Sequence, residues 1–216
     1  MIVPLDDTIG AAGLRLAEWL ADPAGWLPAG SGGQVALPDD LRDAMAASPV
    51  LRPALNRWLA RNAGLDKMAL DQAVLTRLAV DPDAEAAVAL LTAPPMSQLQ
   101  SARMLGAALW ADRIRLALLK TDRDRLAVLL GADAMAFGLR RATVFARPLT
   151  ERGATFPATD PVIAGRMLCA AILARVAPVL ADLFRLCHPA LPNLDPLTDT
   201  QARAAWSVLA LPEARA

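Results

Sequence analysis

The first chemistry to test in this chain is a cysteine beside a histidine, Cys187-His188, because an imidazole that takes a thiol proton makes a nucleophile. The two side chains would have to meet, and neighbours on a helix point about 100° apart. The pair falls at the end of a predicted helix, where His188 reads as a C-terminal cap or a packed surface imidazole. His188 is the one histidine of the chain, so mechanisms that need two are excluded. Cys169, Cys187 and His188 lack a fourth ligand and any standard zinc spacing. Carboxylates cluster at Asp39-Asp40-Asp43, Asp81-Asp83-Glu85 and Asp122-Asp124. Each cluster lies near a predicted helix start, where negative charge complements the helix dipole, and none has the Gly and terminal Glu of a calcium loop. Gly30, Gly32 and Gly33 precede no Lys-Ser/Thr and follow no strand, so they make no phosphate loop. Ser31 lacks the G-x-S-x-G setting of a hydrolase nucleophile. The expectation is a chain with no catalytic residue, no metal and no cofactor.

One polar feature stands out, the set Arg113, Arg115, Arg123, Arg125, Arg140, Arg141 and Arg147. Asp112, Asp122 and Asp124 interleave with it. Two readings follow: a solvated helix face with weak local ion pairs, or a surface for an acidic partner, whose carboxylates suit the planar guanidinium fork. Trp26 lies in a loop with Leu27-Pro28. It either plugs the core or marks a partner contact, where tryptophan is enriched.

The elements that must position these residues are helical. Apolar residues make up 55% of the 216, much of it alanine and leucine, and period-2 alternation is scarce. The pattern predicts an all-α fold of about nine or ten helices in a single domain, 1–216, with one minor extended segment near residues 153–157. Expected helices run over Ile9–Ala21, Pro38–Ala47, Ser48-Pro49 to about Asn62, Lys67–Val80 and Asp81-Pro82 to about Leu91. Ser97 and Gln100 have capping-box spacing for a central helix. Met104, Ala107, Ala111, Ile114 and Leu118 fall on one of its faces, and Leu105, Leu109 and Leu116 on another. A helix apolar on two faces is packed on both sides. Thr121 is expected to cap the next helix and Gly131 to end it, Asp133 to about Phe145 follows, and Pro148–Ala158 reads as a loop. Asp160-Pro161 opens the longest helix, kinked at Pro178, with Leu168, Ile172, Val176, Val179, Leu183 and Leu186 as its stripe. Thr198 and Gln201 repeat the capping-box spacing, and Pro212 ends the last helix.

Charge is balanced but unevenly spread. Residues 1–50 carry two basic against seven acidic groups, a net of −5, and residues 103–152 carry ten against five, a net of +5. Either the halves answer each other or are simply solvated, or one is a docking surface that steers a protein partner. A pI of about 6.6 argues against nucleic acid. The start MIVPLDD lacks the n-region of a signal peptide, and the apolar stretch Pro161–Cys187 is interrupted by Arg166, Arg175, Asp182 and Arg185. A cytoplasmic chain without a membrane span is expected, with Cys169 and Cys187 as buried reduced thiols.

Two regions together resemble a known family. They are LAEWLADPAGWLPA, Leu16 to Ala29, and RMLGAALWADRIRLALLKTDRDRLAVLLGADAMAFGLRR, Arg103 to Arg141. The chain is similar here to the K subunit of bacterial type III secretion systems, the YscK/SctK family. The shared features are the early Trp-Leu-Pro loop, Leu105-Gly106, Arg113-Ile114-Arg115, Leu130-Gly131 and Phe137-Gly138-Leu139-Arg140. Where that family often has a His-Pro-Ser-type lead, this chain has Pro23-Ala24-Gly25. The resemblance implies a non-enzymatic adaptor of the cytosolic sorting platform. Such a subunit lies at the cytosolic face of the inner membrane through its partners, linking the ring's D-type subunit to the pods of the Q-type subunit. Candidate partner residues are then Arg113, Arg115, Arg123, Arg125, Arg140, Arg141 and Trp26. The competing reading is a helical ligand-binding or regulatory domain with an apolar pocket between helices. An enzyme built on arginine and carboxylate groups would need them to converge in one deep cleft.

Overall fold

The computed structural model describes residues 10–28, 37–65, 68, 72–117, 119–153, 156, 160–192 and 194–215. Among them every regular element is a helix and none is a strand. The helices are α1 (Ala11–Leu20), α2 (Asp39–Ala47), α3 (Arg52–Asn62), α4 (Gln72–Val80), α5 (Ala84–Thr92), α6 (Pro95–Leu109), α7 (Ala111–Leu116), α8 (Lys120–Leu130), α9 (Ala132–Arg140), α10 (Ala142–Phe145), α11 (Arg147–Gly153), α12 (Pro161–Val176), α13 (Pro178–Cys187), α14 (Asp199–Leu209) and α15 (Pro212–Arg215). A 3-10 turn, Pro23–Gly25, follows α1.

Among the described residues fifteen helices stand in place of the expected nine or ten. The additional ones arise at local breaks. Trp110 (φ −95°, ψ 10°) divides α6 from α7, and Arg141 (φ −123°, ψ −30°) divides α9 from α10. Ala177 is fully extended (φ −154°, ψ 131°), so Pro178 starts a new helix rather than kinking an old one. That matches proline's preference for the first turn, where its missing N–H costs nothing. For the same reason Pro148 sits in the first turn of α11, within the segment expected to be a loop, and Pro212 opens α15 instead of closing the chain's last helix. Of the extended piece expected near residues 153–157, Gly153 closes α11 and Phe156 is not helical; the other positions lie outside the described residues. So do Lys67 and Leu118.

The chain divides into two compact units, Met1–Thr92 with Ala174–Ala190, and Ala93–Leu173 with Leu191–Ala216. In the first, α1 packs on α4 and α5, α5 packs on α13, and α3 packs on α2 and the 3-10 turn. Leu27, Leu55 and Leu59 form a small buried cluster under Trp26, Trp58, Met45 and Leu186. Gly64, in the left-handed region at φ 71°, stops α3 as expected.

In the second unit α6 is central. Met104, Leu105, Ala107, Ala108 and Leu109 are buried on both its faces, and α8, α9, α11, α14 and α15 pack against it. Along α12, Ala164 and Met167 to Leu173 are buried. The two helices touch through glycine: a Cβ on Gly106 would meet the Pro161 carbonyl oxygen at 2.0 Å, and one on Gly165 the Ala102 carbonyl oxygen at 1.8 Å. Buried hydroxyls tie other elements to α6. Ser101 Oγ donates to the Ala214 carbonyl at 3.2 Å and Thr150 Oγ1 to that of Ala108 at 3.0 Å. No helix among the described residues is long and apolar enough to cross a membrane.

Candidate partner-binding surfaces

In the first unit, Trp26 is half-buried. Its ring stacks on Trp19 with centroids 3.9 Å apart, its Nε1 donates to the Trp19 carbonyl at 2.8 Å, and it packs on the Leu27–Leu55–Leu59 cluster. The loop before it is locked from α3. Arg52 makes a two-pronged pair with Asp22, Nε to Oδ1 at 2.9 Å and Nη2 to Oδ2. Asn56 Nδ2 donates to Asp22 Oδ1 at 3.0 Å and to the Ala21 carbonyl, while its Oδ1 accepts from the Ala24 N–H. The Arg52 guanidinium holds the Asp22 carboxyl below its ordinary range, partial burial opposes it, and Asn56 adds to the lowering. Beside this loop Leu20, Pro23, Pro49, Pro53, Arg57 and Ala60 line a groove of about 560 Å³ that opens to solvent. It is not the enclosed Leu- and Met-lined cavity that a ligand-binding domain would need.

On α2, Asp39 and Asp40 occupy the first turn, Asp43 follows, and all three are exposed. No residue of this helix is buried. Asp81 Oδ1 accepts the Asp83 N–H at 2.8 Å, and Glu85 in the first turn of α5 pairs with Arg15 at 3.7 Å. These carboxylates serve helix starts, as their positions suggested.

Cys169 is buried and Cys187 partly buried. Burial pushes the Cys169 thiol up to about 12, with a smaller opposing effect from Arg166, and burial pushes the Cys187 thiol up to about 12. His188 caps α13 with its ring 4.6 Å from that of Phe184, the packed imidazole expected.

All seven arginines of the unusual set are exposed and belong to the second unit. Most of them have a partner close by. Arg113 lies over the Trp110 ring, 4.7 Å from its centroid. Arg115 Nη1 donates to Thr143 Oγ1 at 3.2 Å, joining α7 to α10. Arg123 Nε donates to the Ala117 carbonyl at 2.7 Å, so the start of α8 closes on the end of α7. Arg141 Nη1 pairs with Glu213 at 3.2 Å and its guanidinium lies 5.9 Å from the Phe145 ring. Arg140 is the last residue of α9, immediately before it. Arg147 is answered within its own helix by Glu151 at 2.8 Å. Arg125 stands about 200° round α8 from Arg123, so the two cannot act as a unit.

Sequence reasoning missed the apolar part of this surface. Leu116, assigned to a core face with Leu105 and Leu109, is 74% exposed, because past the break at Trp110 only the Ala111–Ile114 face of α7 is buried. Val144 is 86% exposed, and Leu119, Val128, Leu139 and Phe145 are also exposed. The one signal available was the tryptophan followed by Ala-Asp-Arg, a short-helix start hidden inside continuous apolar spacing. No family model, curated protein or solved structure matches the chain.

Proposed function

We propose that the chain is a non-enzymatic adaptor of a bacterial type III secretion sorting platform. It works in the cytoplasm, peripheral to the inner membrane through its partners, and links a ring D-type subunit to pods of a Q-type subunit. The observation that carries this reading is the surface of α7 and α10, where guanidinium groups border exposed leucine, valine and phenylalanine. Apolar residues beside arginine are the make-up of protein interfaces rather than of solvated faces. The segment that supplies the family resemblance, Arg103 to Arg141, includes α7 and ends just before α10. The acidic face of α2 gives a second surface of opposite sign, suited to a different partner. The test is affinity capture of the full chain from its host after mild crosslinking, read by mass spectrometry. Recovery of both D-type and Q-type subunits is expected. Recovery of neither, with the chain soluble and intact, overturns the proposal.

A further inference from the structure

We propose that Thr143 is a phosphorylation site, read by a protein kinase that recognises arginine ahead of its acceptor, and that the phosphate tightens the joint between α7 and α10. Thr143 follows Arg140-Arg141-Ala142 and precedes Val144, and no other serine or threonine of the chain has two arginines among the three residues before it. Guanidinium groups at fixed spacing before a hydroxyl are what the carboxylates of such a kinase's cleft can pair with. Both arginines are exposed, and so is Val144, at 86%. The Arg141–Glu213 pair at 3.2 Å is itself open to solvent, so it yields at little cost to the carboxylates of an enzyme. Thr143 is half-buried in α10, a single turn of four residues between the non-helical Arg141 and Ala146. The fully buried anchors of this turn are the methyl groups of Ala142 and Ala146. One turn holds little helix energy of its own, so the segment can extend into a cleft.

In the reaction the Thr143 hydroxyl oxygen attacks the γ-phosphorus of a nucleoside triphosphate as the bond to the leaving diphosphate breaks, and the hydroxyl proton passes to a base of the kinase. The surroundings of that oxygen suit the product. Oγ1 already accepts from Arg115 Nη1 at 3.2 Å. Phosphorylation adds about −1.5 to −2 charges and three acceptor oxygens there. A single bond from a guanidinium to a neutral oxygen then becomes an ion pair that the planar fork can make with two bonds. Thr150, the other described threonine with an arginine three residues before it, is buried and spends its hydroxyl on the Ala108 carbonyl at 3.0 Å.

The test begins with the full chain recovered from its host and read by tandem mass spectrometry, where phosphate on Thr143 is expected. The purified chain is then incubated with ATP and the catalytic subunit of cyclic AMP-dependent protein kinase, a probe that reads arginine at these positions. Labelling should fall on Thr143, vanish in Thr143→Ala and drop about tenfold or more in Arg140→Ala. The phosphorylated chain should unfold about 2–4 °C higher than the unmodified one, and Arg115→Gln should remove that gain while leaving the labelling in place. Circular dichroism establishes that all three variants are folded. No phosphate on Thr143 in the host, labelling on other residues, labelling that persists in folded Thr143→Ala, or an unfolding midpoint that does not rise overturns the proposal. Binding of D-type and Q-type subunits bears on the adaptor reading alone, so the two stand or fall separately.

Discussion

A methyl group added at Gly165 would lie 1.8 Å from the Ala102 carbonyl oxygen and 2.9 Å from the Gly106 backbone nitrogen. Neither backbone atom can step aside without moving a helix. Gly165→Ala should therefore destabilise the chain by about 3 kcal/mol, read from the midpoint of urea unfolding. Gly131 presents the opposite case. A Cβ there meets only the Arg103 guanidinium, at 3.7 Å, but φ 79° with ψ 168° is a backbone region open to glycine alone. Gly131→Ala should cost roughly 1–3 kcal/mol from backbone strain, without a packing clash. Asp22 carries a pH prediction. Its folded carboxyl titrates below the unfolded value of 3.8, so the folded state binds fewer protons and the unfolded state more in that range. Its contribution is complete above the unfolded value and is lost as pH falls through the folded one. Acid unfolding followed by tryptophan fluorescence should show a shallower stability loss below about pH 4 in Asp22→Asn than in the unaltered chain. Both thiols stand at about 12, so neither should react with a disulfide reagent at neutral pH until the chain unfolds.

At the scale of the element, a cap was legible where it agreed with the prolines around it. Thr198 and Gln201 form the reciprocal capping box that their spacing predicts, and Asp160 Oδ1 accepts the Val162 and Ile163 N–H groups at 2.7 and 3.0 Å. Ser97 and Gln100 have the same spacing but cap nothing, because Pro94-Pro95 starts α6 two residues earlier. Gln100 reaches instead to the Glu213 carbonyl at 2.9 Å. Thr121 is likewise inside α8, which begins at Lys120. Ser48 accepts the Leu51 N–H across a turn, so α3 starts at Arg52 with Pro53 in its first turn. Measured by thermal unfolding, Thr198→Ala should cost about 1 kcal/mol, whereas Ser97→Ala should change stability by less than about 0.5 kcal/mol. Apolar periodicity found the buried face Met104, Ala107, Ala111 and Ile114 correctly. It could not find the breaks at Trp110 and Arg141, since neither glycine nor proline stands at them and the spacing runs through; at Ala177 the following Pro178 signalled a kink, and the helix breaks there outright. The breaks at Trp110 and Arg141 each hid a short helix, and these two, α7 and α10, carry the candidate site.

For the molecule as a whole, the all-α class followed from composition and period, while the candidate surface followed only in part. The arginines were visible in the sequence; their individual partners, Thr143 for Arg115 and Glu151 for Arg147, were not. The high mean hydropathy of +0.34 has a physical home in a core rich in alanine and glycine, where helices such as α6 and α12 approach at backbone distance. The proposed function assigns what remains apolar and exposed on α7 and α10 to a partner. The account therefore predicts two surfaces of opposite sign, each with its own occupant. The direct measurement is a paired calorimetric titration of purified D-type and Q-type subunits into the unaltered chain, into Arg115→Glu/Arg140→Glu and into Asp39→Lys/Asp40→Lys/Asp43→Lys. Each set of reversals should abolish binding of one subunit and leave the other within about twofold. Two subunits that bind all three forms alike, or that bind none, would contradict the account.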